Sequence, residues 1–439
     1  MPERLTLEIL NNAVKNSAAL RCVTEYQPAG GPGDKVFPPT YMGGVYATET
    51  RLIGGRRAPC VLLDSVQSQA NRMELALLQA WRDKLIEIPV ITVDFSGCEL
   101  REVGRNFRIT SLDAPHRIAD AILRDSVVDE KGKPVPFGKS DYANRWGAAR
   151  PYNATELFRL CPTALVFGTW GSPEKPGRLG PKFARAIVSE IVAIDVEFGV
   201  KTSSRIDPLG ISKEAGPLFR ASDGSWTLDR QQAVCKDDKL LLFGKQKGKD
   251  AWVPKNSEKY SDQGKPSAAN HGNIPPDVSK WKKAGGVEIP LGGGITMHHA
   301  LQTTVLSLSA IRRLEFPVAE GGATPAHNFA ARAALAALGI CAATLARTDA
   351  DLRSRCQLHS VKASLWEILA GAGVEPTAYE LSVDDALALL KAAVNAANAA
   401  GIPWQTEEIN LKPSANLVEL VQRSQAVAGD DSADEGSES

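Results

Sequence analysis

A chain of 439 residues is too long for one simple domain and implies two, or one domain carrying large insertions. Its 43% hydrophobic and 23% charged residues are those of an ordinary globular protein with a sizeable core, and no run of about 18 apolar residues marks a membrane span. A formal net charge of zero, taken alone, argues against a nucleic-acid binder, but the acidic tail AGDDSADEGSES hides a mildly basic body.

In chain order, Leu5–Ala18 has a short helical pattern and ALRCVTEY (Ala19–Tyr26) alternates as a strand. The Gly/Pro-rich loop QPAGGPGDKVFPPTYMGG follows, then a buried strand ending in APCVLL. DSVQSQANRMEL opens a helix expected to run to about Leu85. IPVITVDF is a β-branched strand, and RITSLDAPHRIADAILRDS is a strand end, a turn and a short helix. Glu130–Tyr152 is expected to be irregular, and ALVFGTWGS to be a second buried strand breaking into the loop PEKPGRLG. In KFARAIVSEIVAIDVEFGVKTSSRIDP the first half is compatible with helix and the second alternates as a strand. Ile211–Gly294 is a basic, weakly periodic insertion with hairpins such as LLLFGKQKGKDAWVP; a solvated loop is the plainer account of its lysines. Ile295–Leu314, HNFAARAALAALGICAATLA, VKASLWEILAGAG and SVDDALALLKAAVNAANAAG all look helical, the last capped by Ser382 and stopped at Gly401. The resulting fold class is α+β, compatible with a split βαβ, ferredoxin-like core carrying insertions.

Ser65, Ser68, Gln69 and Arg72 share one helix face beside the apolar stripe Val66, Ala70, Met73, Leu77 and Ala80. With the free N–H groups of a helix start, such a strip suits a phosphate or ribose; it equally suits a capped helix facing water. Three Gly-rich stretches, AGGPGDK, GTWGSPEKPGRLG and PLGGG, match neither a P-loop nor a dinucleotide fingerprint. His298 and His299, adjacent on an expected helix, would point apart and share no metal, and there is no HExxH or GxSxG motif. The seven cysteines form no CxxC pair. Their odd number, with no signal peptide, leads us to expect a reducing cytoplasm.

Arginine and lysine recur near aromatics in loops: Arg56 and Arg57; Arg145 and Trp146; Trp170 with Lys175, Arg178, Lys182 and Arg185; Lys201 and Arg205; Arg353 and Arg355. That pairing of residue types suits single-stranded nucleic acid, by phosphate pairing and base stacking.

RLIGGRRAPCVLLDSVQSQANRMEL, ALVFGTWGSPEKPGRLGPKFARAIVSEIVAIDVEFGVKTSSRIDPLGI and GGGITMHHALQTTVLSLSAIRRLEFP together resemble the backbone subunit of type I-G (formerly I-U) CRISPR effectors, of the RAMP superfamily, Cas-seven family, Csb-one branch. The resemblance runs from about Leu20 to Leu358, with DSVQSQANR and VKTSSRIDP its most specific stretches. It implies a palm of modified RNA-recognition (RRM), ferredoxin-like fold with inserted β-hairpin thumb and finger elements. In those terms residues 1–210 would begin the palm, 211–294 form the basic thumb or finger insertion, 295–420 complete the palm with helices, and 421–439 be a disordered acidic tail. It further implies a non-catalytic protein without cofactor or metal. Copies would polymerise along a CRISPR RNA and present it to target DNA, beside a Cas-five/Cas-six type fusion, a large subunit and a recruited helicase-nuclease. A guide holder must grip any sequence through backbone contacts. Ser65, Gln67, Ser68, Gln69, Asn71 and Arg72 are the first candidates for that grip, followed by Trp170, Lys182, Arg185, Lys201 and Arg205. The alternative is a RAMP ribonuclease cutting guide-paired target RNA, with Asp34 as its loop aspartate.

Overall fold

The computed structural model describes residues 2–100, 107–171, 180–212, 214–244, 251–256, 263–279, 281–284, 287–290, 292–318 and 322–435. The loop residues around Lys175 and Arg178, the KQKGKD hairpin tip and the last four residues of the tail lie outside the described residues. The protein is mixed α+β, built on a large mixed sheet with about ten helices. The chain divides into two compact units: residues 1–99, 103–199 and 294–418, and residues 100–102, 200–293 and 419–439.

The first unit holds a ten-stranded sheet. Its main path runs Glu3–Arg4, Thr377–Glu380, Trp366–Leu369, Ala19–Pro28, Ile295–Ser307, Ile187–Phe198, Arg56–Asp64, Thr48–Ile53. Adjacent strands are antiparallel except for the outermost pair, Glu3–Arg4 with Thr377–Glu380. Six of the twelve residues of Ile187–Phe198 are Ile or Val, whose branched Cβ packs well on a pleated surface. The first half of that segment is therefore strand rather than helix. Ile295–Ser307 is also strand, not helix, and pairs on both sides as a central member of the sheet. Residues 295–420 thus complete the sheet as well as its helical layer. In VKASLWEILAGAG the helix expected is a four-residue strand, Trp366–Leu369, anchored by fully buried Trp366. ALVFGTWGS differs in the other direction: Thr163–Val166 is a short helix and only Thr169–Trp170 is strand. Within Glu130–Tyr152 the structure orders a strand, Lys133–Pro136, and a helix, Asp141–Gly147.

Pro325–Arg347 packs against helices Leu7–Asn16, Val66–Arg82 and Val383–Ala399. It is long and apolar enough to cross a membrane by length and composition, yet it is mostly buried within the protein as a core helix. Its alanines and Gly339 allow close approach to the sheet; a Cβ on Gly339 would meet Leu306 Cδ1 at 3.1 Å. A second sheet of five strands includes Ile409–Pro413, which pairs in parallel with Ile91–Asp94.

In the second unit, Lys201–Arg205 and Ile274–Ser279 form an antiparallel ribbon. Lys239–Leu241 and Trp252–Pro254 form the expected hairpin over a small core of Phe219, Leu240 and Leu242. Ala415–Glu435, which takes in the described part of the acidic tail, is one helix, with an i,i+4 pair between Glu419 and Arg423.

Candidate nucleic-acid interface

The DSVQSQANR helix runs from Val66 to Arg82, and Ser65 caps it, its hydroxyl accepting from the Ser68 N–H. Ser65 and Ser68 are half-buried, whereas Gln67 and Asn71 are exposed. Gln69 and Arg72 have a different role. Gln69 is 3% exposed, and its amide donates to Asp64 Oδ2 at 2.6 Å. Its Oε1 accepts from Ser189 Oγ at 2.9 Å and from Gln302 Nε2 at 2.7 Å. Gln302 Oε1 in turn accepts from the Tyr26 hydroxyl at 2.9 Å, and Ser189 meets Thr304 at 2.9 Å. Burial pushes the Tyr26 phenol up to about 12, so it stays a proton donor. Arg72 closes the other end, its Nε donating to Asp64 Oδ2 at 3.0 Å and its Nη2 to the Leu352 carbonyl at 2.6 Å. Asp64 is 1% exposed and also faces Arg353 at 3.8 Å.

The side of the helix that carries Gln69 and Arg72 therefore faces a polar network inside the protein, between helix and sheet. Gln69 is removed from the candidate RNA contacts, because its amide is already bonded in the interior. Arg72 is braced to the interior by two bonds and keeps a quarter of its side chain accessible.

The second candidate group lies on the hairpin formed by Thr169–Trp170 and Lys182–Phe183. Trp170 and Lys182 are cross-strand partners, which places their side chains on one face. Trp170 is 71% exposed, and Lys182 and Arg185 are exposed with no carboxylate partner among the described residues. An indole presented to solvent across from the Lys182 cation suits a base flanked by phosphates. Trp146 supports the hairpin from beneath, its ring lying against Gly171 beside Pro181. Its neighbour Arg145 is held by Asp141 and Glu156 and stacks on Tyr142.

Asp64 pairs with Ile191, four residues into the strand that begins at Ile187. The helix tip and the hairpin thus lie toward the same end of the sheet. Lys201 and Arg205 belong to the second unit. Lys201 is exposed, but Arg205 donates to the carbonyls of His271 and Gly272 at 2.9 and 3.0 Å and pins that loop. Asp34 is a turn residue whose carboxylate accepts from the Lys35 N–H at 2.9 Å.

His298 and His299 sit on a strand opposite Asp195 and Ile194, with their Nδ1 atoms 2.7 Å apart. Among the described residues no group of three or more His, Cys, Asp or Glu could hold a metal.

Sequence reasoning missed the buried pair Glu74–Arg117. Arg117 grips both oxygens of Glu74 at 2.6 Å, and burial nevertheless pushes the Glu74 carboxyl up to about 7 against the pull of the guanidinium. The one available signal was a glutamate on the otherwise inward side of the helix, one residue beyond Met73.

Residues 20–198 match the model of the family described as CRISPR-associated protein GSU0053. The matched stretch is about two fifths of the chain. No curated protein matches the chain. The matched segment contains the helix tip, the Trp170 hairpin and the Glu74–Arg117 pair, and it ends before Lys201.

Proposed function

We propose that the protein is the CRISPR RNA-binding backbone subunit of a Cascade-type surveillance complex, gripping the guide with the Trp170 hairpin and the outer surface of the Ser65-capped helix. The observation that carries this reading is the position of both features within the matched segment, toward one end of the sheet. Copies of the chain would follow one another along the guide, with the fusion and large subunits as partners, and no step would be catalysed by the chain itself. The palm would be a modified RNA-recognition fold.

Electrostatics favour that end over the sheet face opposite the helices. An ordinary RRM stacks bases on aromatics of its sheet face. Here that face carries Arg21 with Glu367, Lys362 with Glu25 and Arg51 with Glu190, each cation already held by a carboxylate. A phosphate laid there would have to displace carboxylates. At the hairpin, Lys182 and Arg185 face no such competition among the described residues. The reading is tested by co-expressing the chain with a CRISPR array, purifying it at moderate salt and sequencing the nucleic acid that accompanies it. Recovery of spacer-containing RNA, released at high salt, is the expected result. Protein that carries no RNA even when its partner subunits are co-expressed would refute it.

A further inference from the structure

We infer that Arg117, a residue with no surface role of its own, is the positioning residue of the Trp170 platform; the inference rests on the reading of Trp170 as a base-stacking side chain. Arg117 is almost fully buried and adopts a left-handed backbone conformation (φ 54°), which a non-glycine residue reaches only at a cost. Its guanidinium makes three hydrogen bonds to two residues. Nε and Nη2 grip Glu74 on the Ser65-capped helix, and Nη1 donates to the carbonyl of Gly168 at 3.0 Å. The Phe167 ring lies 5.5 Å from the guanidinium carbon.

Gly168 is two residues before Trp170 and presses directly on the partner strand. A Cβ there would lie 2.9 Å from the Arg185 backbone nitrogen and 3.1 Å from the Phe183 carbonyl oxygen, and its φ is +85°. The carbonyl that Arg117 holds therefore belongs to the pivot of the hairpin. One rigid fork ties the helix of the first candidate group to the base of the second. A lysine could keep the charge opposite Glu74, but it has no planar fork with which to hold Gly168 at the same time.

The test compares the full chain with Arg117→Lys, Trp170→Ala and the double variant, using a labelled single-stranded uridine oligonucleotide as probe. Trp170→Ala should weaken binding about tenfold with an unchanged salt slope. Arg117→Lys should weaken it to a similar degree, also with an unchanged slope, and the double variant should lose no more than either single one. The emission of Trp170, taken as the difference between each protein and its Trp170→Ala form, should shift in Arg117→Lys and become differently quenched by acrylamide. Losses that add in the double variant would overturn the coupling. If Trp170→Ala binds as well as the parent, the stacking reading falls; the emission readout then stands alone, and an unmoved spectrum in Arg117→Lys overturns the positioning role. Should Arg117→Lys fail to fold, Glu74→Gln, which keeps the shape and loosens the grip, must show the same emission shift, and its absence would overturn the inference.

Discussion

Replacing Arg72 with alanine separates two readings of the DSVQSQANR helix. In the structure Arg72 donates to a carboxylate that is 1% exposed, and to the Leu352 carbonyl. Without it, Asp64 keeps the Gln69 amide at 2.6 Å and Arg353 at 3.8 Å, but loses its nearest cation. Removing one partner of a fully buried pair costs about 3–5 kcal/mol; with Arg72 about a quarter exposed, a loss of about 2–3 kcal/mol is expected. At about 1.5 °C per kcal/mol for a unit of this size, the melting temperature should fall by about 3–5 °C. The assay is a thermal melt followed by far-ultraviolet circular dichroism, run beside RNA binding at several salt concentrations. A lost phosphate contact on a single strand lowers the salt slope by about 0.7, whereas a lost interior brace leaves it alone. An unchanged melt with a slope reduced by about 0.7 would refute the interior account and return Arg72 to the RNA surface.

Other variants test the remaining assignments. Lys182→Ala and Arg185→Ala should each lower the salt slope of RNA binding by about 0.7 while changing stability by less than about 0.5 kcal/mol, and slopes equal to the parent's would remove them from the interface. Gln69→Leu should destabilise the protein by about 1–3 kcal/mol in chemical denaturation, because Asp64, Ser189 and Gln302 all lose a bonded partner; an unchanged midpoint would mean that the network relaxes at no cost. Glu74 sets a pH dependence of the less usual sign. Its folded carboxyl is raised from 4.5 to about 7, so the folded state holds the proton more tightly. Its contribution is present in full below about pH 4.5 and is lost as the pH rises through about 7. Denaturation curves at pH 5 and pH 7.5 should show that loss in the parent and not in Glu74→Gln, and identical pH profiles would place the titration elsewhere.

How much of this was legible in the sequence depends on what the interior is made of. The Ser382 cap and the helix Pro325–Arg347 follow from local chemistry, and the sequence reading places them correctly. Ile295–Ser307 and the first half of Ile187–Phe198 do not, and the reason is specific. Along Ile295–Ser307 the inward positions include Gln302 and Thr304, and along Ile187–Phe198 they include Ser189. A strand is recognised by apolar residues recurring every second position, and polar side chains at those positions erase the signal. The alternation is broken again where the register against Arg56–Asp64 shifts between Ile191 and Val192. The same three side chains are partners of Gln69 or of one another, and Gln69 was mistaken for a surface residue because it is polar. One buried network therefore accounts for both kinds of error. Helical spacing places Ser68, Gln69 and Arg72 on one side of an axis, but only a carboxylate at the end of the preceding strand decides that this side faces inward. Asp64, at the junction of APCVLL and SVQSQANR, is that carboxylate. With Gln69 and Arg72 engaged inside, the polar residues left for a guide are Gln67 and Asn71 on the outer surface and the two serines at the tip. On the proposed RNA-binding reading, the Trp170 hairpin, rather than the helix, would supply most of the cationic and stacking contact within the matched segment.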